Sequence, residues 1–336
     1  MDIEQIRWET PGIGGPVHLL ACGSALMPQP VVDAIVEHIQ LEAQIGGYEA
    51  HAARDDGLER VYDSVARHIG AKRHEIALLE NATVAWCHAF YALPLTRGAR
   101  ILTCEAEYAA NYMAMLQRAA REGLVIEVIP SDASGALDLG ALEAAMGPDV
   151  GLIAITWVPT NGGLVNPAEG VGRIAKAHGV PYLLDACQAA GQIKIDVAAL
   201  GCDFLSATGR KFLRGPRGTG FLYVAEKWLE TLEPAMIDFF GAPWVARDRY
   251  ELRPDARRFE TWENAYALRA GLGAAFDYAD AIGMDAIAAR VEALADQCRA
   301  ELGALGGVVL RDLGTQNAAS SASRWRGMPP RRWSGR

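Results

Sequence analysis

The sequence predicts an α/β fold in which a mostly parallel sheet is covered by helices on both faces. Three observations lead there. Between residues 58 and 225, short apolar runs of strand length recur at intervals wide enough to hold a helix, the pattern that βαβ units leave in a sequence. The runs are leucine-rich or β-branched throughout, as strands buried on both faces are. Each run ends in a cluster of polar or small residues, and in an open α/β sheet ligands gather beyond the carboxyl ends of strands.

The elements follow in order. Leu58–Ile69 has helical periodicity. Glu75–Leu79 reads as a strand that leads through Asn81, Ala82 and Thr83 into a helix ending near Tyr91. Arg100–Thr103 is the next strand and Tyr112–Arg121 the next helix. Leu124–Ile129, Gly151–Thr156 and Pro181–Asp185 are further strands. Phe204–Ala207 and Thr219–Val224 close the sheet, near enough in sequence for an antiparallel return. After residue 225 longer helices take over (Ala265–Ile282 and Met284–Leu302), followed by a strand at Gly306–Arg311. From Ser320 to Arg336 there are five arginines, no acid, and no leucine, isoleucine or valine. Such a stretch does not continue a packed lobe. It is either a flexible basic tail or a displaced reading frame that replaces the lobe's remainder.

Composition excludes several classes. The chain of 336 residues is 51% hydrophobic and 22% charged, with a net charge of −9. This is a soluble globular composition without the basic face of a nucleic-acid binder. The first residues are neither a basic nor an apolar signal region, and no run approaches membrane-spanning length, so a cytoplasmic location is expected. Six cysteines (Cys22, Cys87, Cys104, Cys187, Cys202, Cys298) occur without a C-x-x-C pair and read as reduced, buried thiols. The seven histidines show no metal-ligand spacing, so no metal is expected.

The run Ser206–Gly220 holds Lys211 among glycines and Arg210, Arg214 and Arg217, downstream of Asp185 at the end of an apolar run. A lysine in a basic, glycine-rich turn and a strand-end acid are what pyridoxal 5′-phosphate requires. The lysine forms the Schiff base, and the acid keeps the pyridine nitrogen protonated. Lys211 would also carry the proton at Cα. Asp185 has the competing reading of a helix N-cap. Gln188 and Thr160 can donate to the ring phenolate, and Tyr108 can stack on the ring or simply belong to the core. Ala82 and Thr83 open a helix whose free N–H groups suit a phosphate, although capping is an alternative for Thr83. Thr208 and Arg210 can add a hydroxyl and a cation to that phosphate. Arg210 can equally pair with surface acids.

Over residues 16–315 the chain resembles the fold-type I pyridoxal-phosphate enzymes of the class V aminotransferase superfamily, which includes cysteine desulfurases, C–S lyases, epimerases and transaminases. The most specific parts are Leu184–Gln188, Thr208–Lys211 and Gly215–Gly220. The resemblance implies a three-layer α/β/α sandwich with a mostly parallel sheet and a small α+β lobe, here incomplete. Residues 1–30 would serve that lobe and the site, and 31–255 the large domain. Residues 256–319 would form the linker helix and partial lobe, with a basic tail over 320–336. It implies a homodimer with composite sites. The family's Gly-Thr pair is replaced by Glu260-Thr-Trp-Glu263 here, so Thr261 is the nearest candidate for reaching the partner's phosphate. A histidine usually precedes the lysine, and Arg210 stands there instead.

Cysteine desulfurases use a mobile-loop cysteine far beyond the lysine. Only Cys298 follows Lys211 in this chain, inside a helical pattern, which disfavours persulfide chemistry. Glu42–Tyr48, Glu107–Asn111 and Arg210–Lys211 are similar to the hercynylcysteine sulfoxide lyase branch. The resemblance therefore implies C–S β-elimination on an amino acid. Amino transfer to a 2-oxo acid is the alternative, and a catalytically impaired cofactor-binding protein is a third reading.

Overall fold

A computed structural model describes residues 1–327. The elements are α1 (Ile3–Trp8), α2 (Gln29–Ile45), α3 (Gly47–Ile69), β1 (Ile76–Leu79), α4 (Ala82–Ala92), β2 (Arg100–Cys104), α5 (Ala109–Glu122), β3 (Val125–Ile129), α6 (Leu139–Ala145), β4 (Val150–Thr156), α7 (Ala168–His178), β5 (Tyr182–Asp185), α8 (Val197–Leu200), β6 (Phe204–Thr208), β7 (Gly220–Val224), β8 (Trp244–Ala246), β9 (Arg249–Tyr250), α9 (Tyr266–Ile282), α10 (Met284–Ala304), β10 (Val308–Leu310) and β11 (Ser323–Trp325).

Seven strands form one sheet in the order β1-β7-β6-β5-β4-β2-β3. The pairs β2–β3, β2–β4, β4–β5 and β5–β6 are parallel, and β7 is antiparallel to both neighbours. The expected antiparallel return from β6 to β7 is therefore present. Strands β5, β6 and β7 are buried along their whole length. Successive residues feed opposite layers: Leu183 and Phe204 pack with Trp86 and Phe90, and Leu184 and Leu205 with Val61 and Phe276. That alternation is why these runs read as continuously apolar. Each fully buried leucine contributes about 1.5–3 kcal/mol of transfer free energy. Helices α2, α3 and α9 pack together on one face, and α4 and α5 lie on the other. The result is a three-layer α/β/α sandwich.

Helix α3 begins at Gly47, well before Leu58. Residues 52–56 are exposed, so they carry no apolar stripe from which a helix could be read. In the C-terminal lobe, α10 buries only Met284 and Ala295. The stretch expected as a basic tail supplies β11, which pairs antiparallel with β10. Backbone bonds make this possible without apolar side chains: Arg311 N donates to Ala322 O at 2.7 Å and Arg326 N to Gly307 O at 2.6 Å. The rest of that tail, residues 328–336, lies outside the described residues. Among the described residues no helix is long and apolar enough to cross a membrane. All six cysteines are free, but only Cys104 and Cys202 are buried as expected; Cys22, Cys87 and Cys187 are half-buried and Cys298 is exposed.

Candidate cofactor site at the carboxyl edge of the sheet

Because β1, β2, β4, β5 and β6 run in one direction, their carboxyl ends share one edge. Register places Thr156 beside Asp185, and Asp185 beside Ser206. After β6 the chain turns sharply. Gly215 N donates to Gly209 O (2.8 Å) and Arg214 N to Lys211 O (2.9 Å). Arg214 closes this turn at φ 64°, a left-handed conformation that costs a non-glycine residue roughly 1–2 kcal/mol. Its side chain offsets that cost: Nε donates to Leu26 O (3.0 Å) and Nη2 to Thr10 Oγ1 (2.6 Å). The turn seats directly on Gly191, where a Cβ would come within 2.1 Å of Leu213 N. Lys211 is left 5% exposed, and among the described residues no carboxylate forms an ion pair with it.

Opposite stands Asp185, 3% exposed. Its Oδ1 accepts from Cys187 N and its Oδ2 from Asn111 Nδ2, both at 2.8 Å. Burial pushes this carboxyl above its ordinary value; the Asn111 and Cys187 N–H groups and the Lys211 charge oppose that only in part. The Cys187 thiol borders Lys211, and burial pushes it up to about 11, so it stays protonated at neutral pH. On the next side α4 begins. Asn81 Oδ1 accepts from Val84 N at 3.0 Å, which leaves the Ala82 and Thr83 amides without an intrahelical acceptor. Gly220 permits this approach, since a Cβ there would lie 2.7 Å from the Asn81 carbonyl carbon.

Lys211, Asp185, Ala82, Thr83, Tyr108, Thr208 and Arg210 all line this one cleft, which holds about 450 Å³ of atom-free space opening to solvent. Their roles within it differ. Thr208 Oγ1 donates to Thr219 O at 2.9 Å. The Arg210 guanidinium donates to Gly23 O, so it ties the N-terminal segment to the turn, and no surface acid pairs with it among the described residues. Gln188 and Thr160 lie beside the cleft. Gln188 Nε2 donates to Cys22 O (3.1 Å) and more weakly to Thr160 Oγ1 (3.4 Å). Its Oε1 is buried without a partner among the described residues. Thr261 lies apart, in a loop anchored by the buried Glu260, which accepts from Tyr62 Oη, Leu78 N and Arg269 Nη2.

Two contributors were not singled out from sequence, Asn111 and Glu107. Their spacing of four residues across the start of α5 was the available signal. Pyridoxal 5′-phosphate needs an amine within a dry cleft, a carboxylate for the ring nitrogen and an anion-binding helix start. Lys211, Asp185 and the first turn of α4 meet these needs, so the residues fit the group.

Comparison with known proteins agrees. A family model described as Aminotransferase class-V matches residues 17–324. A probable cysteine desulfurase of Methanothermobacter thermautotrophicus is 29% identical over 311 residues, covering 92% of this chain and 78% of the relative. One from Xylella fastidiosa is 34% identical over 267 residues, covering 79% of this chain and 64% of the relative. The apo structure of a cysteine desulfurase from Thermococcus onnurineus superposes with a TM-score of 0.88 at 27% identity, covering 98% of this chain and 84% of that one.

Proposed function

Since this chain belongs to the aminotransferase class-V family and is thereby a pyridoxal-phosphate-dependent enzyme, we propose that it cleaves the C–S bond of a cysteine-derived amino acid by β-elimination. The observation that carries this reading is that Lys211 and Asp185 line one cleft, with Cys187, kept protonated by burial, the one thiol lining it among the described residues. Elimination needs one base that takes a proton and returns it. Sulfur transfer to the protein needs a thiolate at the sulfur. Cys298, the cysteine that follows Lys211, sits on α10 and is exposed.

When bound, the cofactor supplies an electron sink for the carbanion at Cα. Lys211 Nζ would hold the cofactor's aldehyde carbon and, once the substrate's amine replaces it there, would take the Cα proton. Asp185 would hold the ring nitrogen's proton. The amides of Ala82 and Thr83, with Thr208, would receive the phosphate. Tyr108 would cover the ring, and Gln188 with Thr160 would face the phenolate side. The C–S bonding pair leaves on sulfur, and the released enamine hydrolyses to pyruvate and ammonia. The active form is a homodimer in which Thr261 reaches the partner's phosphate and Arg210 holds the N-terminal segment over the turn. Supporting the dimer, Val17 and Leu19 are 85% and 87% exposed and Trp244 is 74% exposed, apolar surface that a second copy would cover.

The test is product analysis of the cofactor-loaded protein with S-substituted cysteines. Pyruvate and ammonia in equal amounts are expected, and both vanish in Lys211→Ala together with the visible absorbance of the bound cofactor. Alanine as product would point to desulfuration, and stoichiometric pyridoxamine phosphate to amino transfer. Cofactor binding without turnover would leave an impaired cofactor-binding protein. Any of these three overturns the lyase reading.

A further inference from the structure

We propose that Glu107 is a positioning residue that acts through Asn111 to orient the Asp185 carboxylate. The inference rests on the reading above, in which Asp185 holds the ring nitrogen. Asn111 is the third residue of α5 and 2% exposed. Its single Nδ2 lies 2.9 Å from Glu107 Oε1 and 2.8 Å from Asp185 Oδ2. An amide nitrogen has two protons, and each is engaged by one carboxylate. Turning the amide over would set its oxygen against two acceptors, so the chemistry alone fixes which end faces Asp185.

Glu107 is itself held from three sides. Its Oε1 accepts from Tyr108 N at 2.8 Å and from the Thr156 hydroxyl on β4, and Thr103 Oγ1 on β2 lies 3.2 Å from Oε2. Two neighbouring strands therefore aim Glu107, Glu107 aims Asn111, and Asn111 aims Asp185. Asp185 retains its remaining lone pairs for the cleft that it lines.

The charge balance gives the arrangement a second consequence. Among the described residues neither carboxylate has an arginine or lysine within ion-pair distance. The groups facing Glu107 are the Cys104 thiol from β2, the Tyr182 hydroxyl from β5 and Asp185 itself. Those facing Asp185 are Lys211 and, beside it, the Cys187 thiol. Burial pushes Glu107 above its ordinary value, and its bonds from Thr156, Asn111 and Tyr108 N oppose that in part; where Glu107 is ionised, a second anion behind Asp185 raises the proton affinity of whatever Asp185 faces. A donor network serving packing alone would not require that charge.

The experiment is a pH titration of the visible absorbance of cofactor-loaded protein, with cofactor affinity measured by reconstituting apoprotein. Glu107→Gln keeps the shape and removes the charge. The midpoint at which the protonated band is lost falls by about one pH unit, and cofactor affinity drops severalfold. Asn111→Ala shifts the midpoint too, and adding Glu107→Gln to it changes little more, because the two act in series. An unshifted midpoint in Glu107→Gln, with Asp185→Asn strongly perturbed, overturns the inference and leaves the Asp185 reading standing. Full additivity of the two variants overturns the action through Asn111. If Asp185→Asn itself leaves band and affinity unchanged, the parent reading falls and this one with it. Should Glu107→Gln fail to fold, Asn111→Ala alone carries the test, and a wild-type midpoint and affinity there overturn the inference.

Discussion

At the carboxyl edge of β4, β5 and β6, polar groups are held inside apolar walls: Asp185 and Ser206 are 3% and 0% exposed, flanked by Leu184 and Leu205 at 0%. In the lobe that begins at Met284 the order is reversed. Helix α10 buries two side chains, the residues of β10 are only partly buried, and an ion pair stands where a core would be. Arg299 Nε meets Asp312 Oδ2 at 2.9 Å with both side chains nearly enclosed. Asp312 also accepts from Ala322 N (2.7 Å), Ser321 Oγ (2.8 Å) and Gly163 N (3.2 Å). The sheet edge thus uses apolar burial to position polar chemistry, and the lobe uses polar chemistry to substitute for apolar burial. The first stays rigid for as long as the whole domain is folded. The second depends on one clamp and can open alone.

Three measurements break or sharpen this contrast. The largest effect belongs to Leu205→Ala, which removes a wholly enclosed side chain from β6. It should cost about 4 kcal/mol of global stability, seen as one lowered denaturant midpoint for every probe. Asp312→Ala removes one member of a nearly buried pair and should cost about 3 kcal/mol. That loss should appear in hydrogen exchange as lost protection confined to residues 308–325, with the sheet edge unchanged. Equal loss at both places would show the two regions to be one cooperative unit.

The smallest effect is the pH response of the apoprotein, where the two aspartates have opposite signs. Burial pushes Asp312 up, but the Ala322 N–H, Ser321 and Arg299 outweigh it and hold the carboxyl below its ordinary 3.8. Its stabilisation is present above the unfolded value and lost as pH falls through the lowered one. Asp185 is raised, so acid relieves its burial cost instead. Stepping the pH down from the unfolded carboxylate value through Asp312's lowered one should therefore open the β10–β11 pairing before the β5–β6 edge, read by hydrogen exchange. Simultaneous opening would contradict the assignment.

The sheet was legible because its strands are doubly buried: a run such as Leu183–Asp185 shows its environment in every residue. Lys211 and Asp185 were legible for the same reason, since a charge at the end of such a run needs an explanation. Asn111 and Glu107 were not, because their significance depends on a carboxylate 74 residues away from Asn111 in sequence. Thr83 offered a cap by its residue type, but Asn81 takes that place. Arg210 lines the cleft, but its hydrogen bond to Gly23 joins residues 187 apart in sequence and was not visible there. The first turns of α3 escaped for want of a clear stripe. The β8–β9 hairpin is exposed throughout and leaves no burial pattern to read.

The tie between the N-terminal segment and the lysine turn also sets a sequence of events in time. Ala25 N donates to Arg210 O at 2.8 Å, and Arg214 reaches back to Leu26 and Thr10. Residues 10–26 cannot dock there until residue 214 has been made, and contacts of such separation form slowly. Until then the apolar Val17–Leu20 stretch has no fixed place. The lysine turn consequently gains its tie to the N-terminal segment only after every strand from β1 to β6 has been made.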